Sequence, residues 1–505
     1  MRTAHHDVEG RGPTSMWMHF LFVALSVSTI TGIRANGDGV TLPVFHSSHL
    51  THLVSIRGTV LFNEDISEGP DASPLSKWTA NDMSIPSSTA GNMQFPVVTL
   101  DEALGEYFAV MEIGTPSQKA AVAIDTGSQL MWVQCDPCMQ CGQQSPHYPM
   151  FKPAQSSSYG VLTCEDCRGD DSVATACTGA SSNRTLLNQP NRCVYFVSYG
   201  DKSSSTGFIS TETLSLAGMP QDKILFGCGL ITTGLVSSLN ASGLLGLDRG
   251  RLSLTSQLGI KVFSYCLPNR VKNVHASGYL TLGAMSAAAR ASSQIQYTPL
   301  LQNHASQFLS QFYYVNMTGI SVDGKLLNIP TSTFQLLPSG EGGTIIDSGT
   351  SITRFVHVAY ASLAHAFEMA MDPSFKRISL GDAAPDLCYQ VPLWKQTGPR
   401  APKVTLHLAN HVDLHLEAHH VLAFMGSDTS FSYYCLAFMD SGTSPNAKNY
   451  FGNYQQQDFL IEYDIANSRI GFAPLECNQG VSRKPIYFSL MWLFVLIHSK
   501  YVLCH

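Results

Sequence analysis

The sequence predicts an all-β molecule made of two similar lobes. From Gly105 onward, short apolar alternations such as Tyr107-Phe108-Ala109-Val110, Ala121 to Ile124 and Tyr313-Tyr314-Val315 are broken by Gly, Ser and Asn. That is how strands joined by turns are written. One short segment also occurs twice, as Ala123-Ile124-Asp125-Thr126-Gly127-Ser128 and as Ile345-Ile346-Asp347-Ser348-Gly349-Thr350, with the two aspartates 222 positions apart. Well downstream of each copy come two apolar or aromatic residues and a glycine, Leu244-Leu245-Gly246 and Tyr450-Phe451-Gly452. A duplicated lobe accounts for both recurrences, and 505 residues exceed what one ordinary core holds.

Taken in order, residues 1–35 are expected to be a signal-peptide region. Met16-Trp17-Met18 leads into an apolar run from Phe20 to Ile30 that ends near Ile33-Arg34-Ala35, too short for a comfortable membrane span. The stretch ahead of it contains Asp7 and Glu9, so either translation starts at Met16 or Met18, or the run belongs to a pro-region. Residues 36–100 are rich in Ser, Pro and Asp, lack cysteine and lack sustained periodicity, as a removable pro-segment would be. A first lobe is expected over 105–295, with a cysteine-rich insertion at 135–193, and a second over 296–478. Within the second, His357 to Met371 reads as a core-packing helix with Tyr360, Leu363, Phe367 and Met371 on one face. The tail, 479–505, holds an apolar run from Ile486 to Ile497 broken by His498, Ser499 and Lys500. It is either a lipid-anchor signal, with Asn478, Gly480 and Ser482 upstream, or an unstructured extension.

Composition narrows the function. Charged residues make up only 13% of the chain, the formal net charge is −7, and Lys and Arg form no block, so the footprint of a nucleic-acid binder is missing. Of thirteen cysteines, twelve lie between Cys135 and Cys477, an even set suited to disulfides in a secreted protein. Glycosylation sequons at Asn183, Asn240 and Asn316 agree with passage through the secretory pathway to the cell exterior or vacuole. Cys135, Cys138 and Cys141, with Cys164 and Cys167, could also hold zinc or an iron–sulfur cluster in a reducing compartment, but behind a signal peptide disulfides are the better reading. His407, His411, His415, His419 and His420 invite a metal hypothesis too. His407 and His415 each stand between leucines, which fits outward positions on strands, and no metal or cofactor is expected. No Gly-x-Ser-x-Gly elbow and no phosphate loop is present.

The repeated segment carries the chemistry. A buried strand delivers Asp to a lobe surface, and the glycine two positions on permits a tight backbone approach with no side chain in the way. The hydroxyls of Thr126, Ser128, Ser348 and Thr350 can hydrogen-bond a carboxylate and orient it. Two such loops brought together would make Asp125 and Asp347 close neighbours, unable to ionise together cheaply, so that the pair holds one proton. One carboxylate then serves as general base on a water while the other, protonated, polarises a carbonyl. Aspartic proteases are the standard example of this effect.

With these motifs in view, the sequence resembles the pepsin-like aspartic proteases, and more closely their plant nepenthesin-like branch, over residues 105 to 478. Gly105-Glu106-Tyr107-Phe108 and Ile113-Gly114-Thr115-Pro116 are similar to the family's first strand and turn. Trp132, seven residues after Asp125, matches the tryptophan behind the flap, and Val197-Ser198-Tyr199-Gly200-Asp201 with Ser205-Thr206-Gly207 looks like the flap hairpin, which makes Tyr199 the flap tyrosine. Phe263-Ser264-Tyr265-Cys266-Leu267 and Gly452-Asn453-Tyr454-Gln455-Gln456-Gln457 are also typical of the plant branch. The resemblance implies a bilobal pepsin-like fold with a cleft between the lobes, a polypeptide substrate bound as a strand, cofactor-free hydrolysis at acidic pH, and a monomer. It further implies disulfides Cys388–Cys435 and Cys266–Cys477, leaving pairings within the insertion open. Membrane attachment is expected only if the tail is an anchor signal. The chain departs from the family at Lys202, where the flap tip usually has Gly, at Arg249-Gly250-Arg251 and at Tyr450-Phe451, none of them expected to touch the catalytic loops. Some members have lost a catalytic Asp, so a secreted binding protein or enzyme inhibitor on the same fold is the rival reading. A DNA-binding plastid relative is a further one, disfavoured by the acidic charge.

Overall fold

The computed structural model describes residues 93–98 and 106–477, apart from short interruptions at 168–172, 179–188, 217–218, 235–239, 270–277, 286–289, 291–292, 382–383, 395–398 and 445. The signal region, most of the pro-segment, the 479–505 tail and Asn183 lie outside the described residues.

The strands begin at β1 (Met93–Val98), β2 (Phe108–Ile113) and β3 (Gln118–Asp125). Ala120 through Asp125 are buried, and the apolar run of β3 pairs with β2 along its whole length. β4 (Trp132–Gln134) follows the first Asp loop, and the insertion then leads to a long antiparallel hairpin system of β5 (Cys193–Ser198), β6 (Ser204–Leu216) and β7 (Met219–Thr233). β8 (Gly243–Gly246) runs parallel to β3, with Gly246 opposite Asp125, and antiparallel to β4. The first lobe closes with β9 (Val262–Cys266) and β10 (Gly278–Leu282).

The second lobe repeats the plan. After β11 (Gln296–Leu301) and β12 (Tyr314–Val315) comes β13 (Thr344–Ile346), which ends on the second Asp loop, and then β14 (Thr353–Phe355). Helix α1 (His357–Ala370) follows, burying Ala359, Tyr360, Leu363 and Phe367, the face expected from its periodicity. β15 (Phe438–Asp440) and β16 (Asn449–Phe451) complete the site wall, β16 running parallel to β13 as β8 runs parallel to β3. His407 and His415 take outward positions on the hairpin of Val404–Leu408 and Val412–Leu416, whose leucines and valines are buried.

β17 (Phe459–Asp464) and β18 (Arg469–Pro474) return to the lobe boundary. There β1, β10, β9, β17, β18 and β11 form one antiparallel sheet to which both lobes contribute, with β9 from the first lobe against β17 from the second. Phe263, Tyr265, Tyr313 and Tyr463 pack on it, with Phe263 and Tyr463 stacked at 4.4 Å between ring centroids. Residues 93–98, inside the segment expected to be removed, supply an outer strand of this sheet.

Six disulfides join described cysteines. Cys388 pairs with Cys435 and Cys266 with Cys477. The pairings left open around the insertion are Cys135–Cys228, Cys138–Cys141, Cys164–Cys177 and Cys167–Cys193. The Cys135-x-x-Cys138-x-x-Cys141 cluster is therefore consumed in disulfides, and no group of three or more metal-binding side chains stands together among the described residues. No helix of the described residues is long and apolar enough to cross a membrane.

Candidate active site

Each Asp loop sits at the end of a buried central strand and folds back on its own carboxylate. In the first, the Gly127 N–H donates to Asp125 Oδ1 at 2.8 Å and the Ser128 hydroxyl donates to Oδ2. In the second, Gly349 N–H donates to Asp347 Oδ1 at 2.9 Å and Thr350 Oγ1 to Oδ2 at 2.6 Å. The two cradles are copies of one another. The other two hydroxyls have a different task. Ser348 Oγ accepts from Thr126 N–H and Thr126 Oγ1 accepts from Ser348 N–H, both at 3.0 Å, while Ser348 Oγ donates to the Ile124 carbonyl and Thr126 Oγ1 to the Ile346 carbonyl. Four hydrogen bonds thus lock loop to loop across the lobe boundary.

That lock brings the carboxyl groups together. A β-carbon placed on Gly127 would come within 2.8 Å of Asp347 Oδ1, and one on Gly349 within 2.4 Å of Asp125 Oδ1, so only glycine lets each loop slide against the opposite carboxylate. Each carboxylate thus faces the loop that carries the other, and each acts on the other's proton affinity. Burial raises Asp125 well above the ordinary carboxylate range, the neighbouring Asp347 charge raises it further, and the Ser128 and Gly127 bonds oppose the rise. Burial raises Asp347 too, against the bonds from Thr350 and Gly349. Such a pair holds a proton into a pH range where a lone aspartate has lost its own.

Over the first carboxylate stands the hairpin of β5 and β6. Trp132, wholly buried, donates from Nε1 to the Tyr199 hydroxyl at 2.6 Å, and the Asp125 charge acts on Tyr199. The turn closes by Lys202 N–H donating to Tyr199 O at 2.9 Å, with Lys202 at φ 69°. This is the left-handed position a glycine usually fills in a three-residue hairpin loop, here occupied by an exposed lysine.

Several contributors were not singled out from the sequence. Glu106, 6% exposed, accepts from Ser351 Oγ at 2.7 Å, and its charge raises Asp125. Asn453 Nδ2 donates to Ser348 O at 2.9 Å, and Gln456 Nε2 to Asp347 O at 3.2 Å. For Asn453 and Gln456 the signal was the Gly452-Asn453-Tyr454-Gln455-Gln456-Gln457 segment typical of the plant branch, to which the sequence assigned no role. The expectation that Tyr450-Phe451 stands clear of the catalytic loops is corrected, and at Arg249 it is the preceding residue that makes the contact. Asp347 N–H donates to Phe451 O at 3.0 Å, Tyr450 lies in register beside Ile345, and Asp248, next to Arg249, donates from its N–H to Ser128 O at 3.0 Å. The Leu-Leu-Gly and Tyr-Phe-Gly segments form the strands parallel to the Asp-bearing ones, so any change in them falls beside the site.

Residues 107–284 match the family model described as xylanase inhibitor N-terminal, and residues 312–474 the one described as xylanase inhibitor C-terminal. The chain is 37% identical over 388 residues to aspartyl protease family protein 2 of Arabidopsis thaliana, spanning 75% of this chain and 72% of the relative. It is 34% identical over 391 residues to aspartic proteinase nepenthesin-2 of Nepenthes gracilis, spanning 77% and 81%. The chain belongs to the pepsin-like aspartic protease family, in its plant nepenthesin-like branch. Among solved structures, basic 7S globulin from soybean aligns with a TM-score of 0.58 at 20% identity over 77% of this chain and 98% of its own. Conglutin gamma from lupine seeds aligns at 0.57 and 22%, over 76% and 94%. At those identities the likeness concerns the fold alone, and the fold of this family member is the two-lobed, sheet-rich one its sequence implied.

Proposed function

We propose that the chain is an aspartic endopeptidase that hydrolyses polypeptides at acidic pH. The observation that carries this reading is the pair of matched cradles, which aim Asp125 and Asp347 at one another. With one proton on the pair, the ionised carboxylate takes a proton from a water held between the two. The water oxygen bonds to the scissile carbonyl carbon, and the other carboxyl gives its proton to the carbonyl oxygen. Collapse of the resulting diol breaks the C–N bond: the departing amine takes a proton from one carboxyl while a diol hydroxyl gives its proton to the other, so the pair ends with one proton again. The family's relatives named as proteases support the class of reaction, and Tyr199 over Asp125 would cover an extended substrate.

A second reading, a binding protein or enzyme inhibitor on this fold, draws support from the description of the matching family models and from the globulin neighbours. Both aspartates, both glycines and both hydroxyl donors are present here, which favours catalysis. The deciding experiment digests a denatured protein at about pH 3–4, where such a pair keeps one proton, with and without a statine-type inhibitor and beside an Asp125→Asn variant. Cleavage by the parent chain, blocked by inhibitor and absent in the variant, is expected. Cleavage that survives the substitution would refute the mechanism. Passage through the secretory pathway, with removal of a signal and a pro-segment, belongs to the same proposal.

A further inference from the structure

Each Asp-bearing strand has an antiparallel partner, and the two lobes hold these pairs in the same register. In the first lobe Phe108 of β2 faces Ala123 of β3, and the Ile124 N–H donates to Tyr107 O at 2.9 Å. In the second Tyr314 of β12 faces Ile345 of β13, and the Ile346 N–H donates to Tyr313 O at 3.0 Å. Tyr107 and Tyr313 are therefore counterparts. Both are buried, and their hydroxyls donate to the main-chain carbonyls of Pro268 and Leu247. One residue further along the same register, Glu106 comes opposite Asp125 and Phe312 opposite Asp347. The duplicated plan thus offers a carboxyl group to one aspartate and a phenyl ring to the other. The fold itself does not call for a charge at this place, since Phe312 fills it in the second lobe, half-buried against Phe308 and Tyr314. Burying a carboxyl group there costs free energy, and Glu106 is nonetheless only 6% exposed.

Directly opposed residues on neighbouring strands share a face, with β-carbons about 4.5–5.5 Å apart. Glu106 accordingly lies against Asp125. It also reaches the second loop, where it accepts from Ser351 Oγ at 2.7 Å, four positions after Asp347. A third carboxyl group is thereby held where the two Asp loops meet. Facing Asp125 are Asp347 from the second loop, Tyr199 from the hairpin, and Glu106. Facing Asp347 in turn are Tyr265, Tyr450 and Tyr463. Tyrosines are neutral in acid. Of these groups, then, Asp347 and Glu106 are the two that set a negative charge against Asp125, and both raise it.

We propose that Glu106 is a positioning residue of the carboxyl pair, whose negative charge beside Asp125 makes the pair hold its one proton further up the pH scale. This role rests on the endopeptidase reading, and the test separates the two. The full-length chain, incubated at acid pH, is given a quenched-fluorescent peptide without titratable side chains. kcat/KM is followed upward from about pH 3 through the limb where activity is lost as the pair gives up its proton. Without a negative neighbour that proton leaves more readily, so Glu106→Gln, which keeps an oxygen to accept from Ser351, should move the limb to lower pH. On the falling side its kcat/KM, divided by its own plateau value, should be about threefold below the parent's at the same pH, the effect of one nearby like charge in a partly polar surround. Because each variant is scaled to its own plateau, a general loss of rate does not disturb the comparison. Glu106→Asp, which keeps the charge, should hold the limb at the parent's position. Glu106→Ala should shift it as the glutamine variant does, and serves if that variant does not fold. A limb that stays in place or moves upward in Glu106→Gln, or one that moves equally in Glu106→Asp, overturns the role of the charge alone. Failure of the folded parent chain to cleave any peptide overturns the endopeptidase reading, and the role of Glu106 with it.

Discussion

The four hydroxyl residues around the carboxylates divide by position. Ser128 and Thr350, three residues after the start of each motif's Asp, bond the carboxylates, while Thr126 and Ser348, directly after the Asp, bond the opposite loop. From the sequence all four were candidates for orienting a carboxylate, because residue type alone does not say which way a hydroxyl on a tight turn points. The glycines were read correctly as points of close approach, and the structure supplies what they approach. Burying two adjacent carboxyls also has a cost that depends on pH. Asp125 is raised above its unfolded value, so its contribution to stability is fully present below the ordinary aspartate pKa of about 3.9. That contribution is lost as pH rises through the raised value, because the fold must then carry a buried charge. Asp125→Asn should therefore raise the melting temperature at pH 7, with little gain near pH 3. Equal gains at both pH values in calorimetry would mean that the raised proton affinity of Asp125 is wrong.

At the scale of elements, strands, the helix and the flap hairpin were legible because each has a local signature: alternation, a one-sided apolar face, or small polar residues after Tyr199. The row formed by Tyr314, Ile345, Tyr450, Arg354 and Met439 across neighbouring strands was not, since it depends on register between strands far apart in the chain, two of the pairings parallel and two antiparallel. The N-terminal strand was also missed, hidden in a Ser- and Pro-rich segment. β1 pairs with β10 over Met93 to Val97, and Val97 and Val98 pair with β2. A processing cut in the high nineties would strip this strand and leave the donors and acceptors of β10 along one edge open. The mature N-terminus should accordingly fall before Met93. Intact mass and N-terminal sequencing of the acid-incubated chain test this, and a mature, active form that begins after Val98 would show the strand to be dispensable.

For the whole molecule, the proposed hydrolysis needs an arrangement that neither lobe holds alone. Three features fix it: the loop-to-loop hydroxyl lock, the sheet in which β9 meets β17, and the Cys266–Cys477 bond between the end of β9 and the chain after β18. The first two act within the folded state and set distances near the carboxylates. The disulfide closes a separation of 211 residues, and its main effect is on the unfolded chain, whose freedom it limits. A Cys266→Ser/Cys477→Ser double variant should therefore lose about 2–4 kcal/mol of stability and inactivate faster on warming. At low temperature it should cleave peptides at close to the parent rate, since the lock and the shared sheet still hold Asp125 against Asp347. The measurement is a thermal-inactivation half-life beside initial rates in the cold. A variant that keeps its fold by circular dichroism yet loses cold activity would show that the disulfide, and not the hydroxyl lock, positions the carboxyl pair.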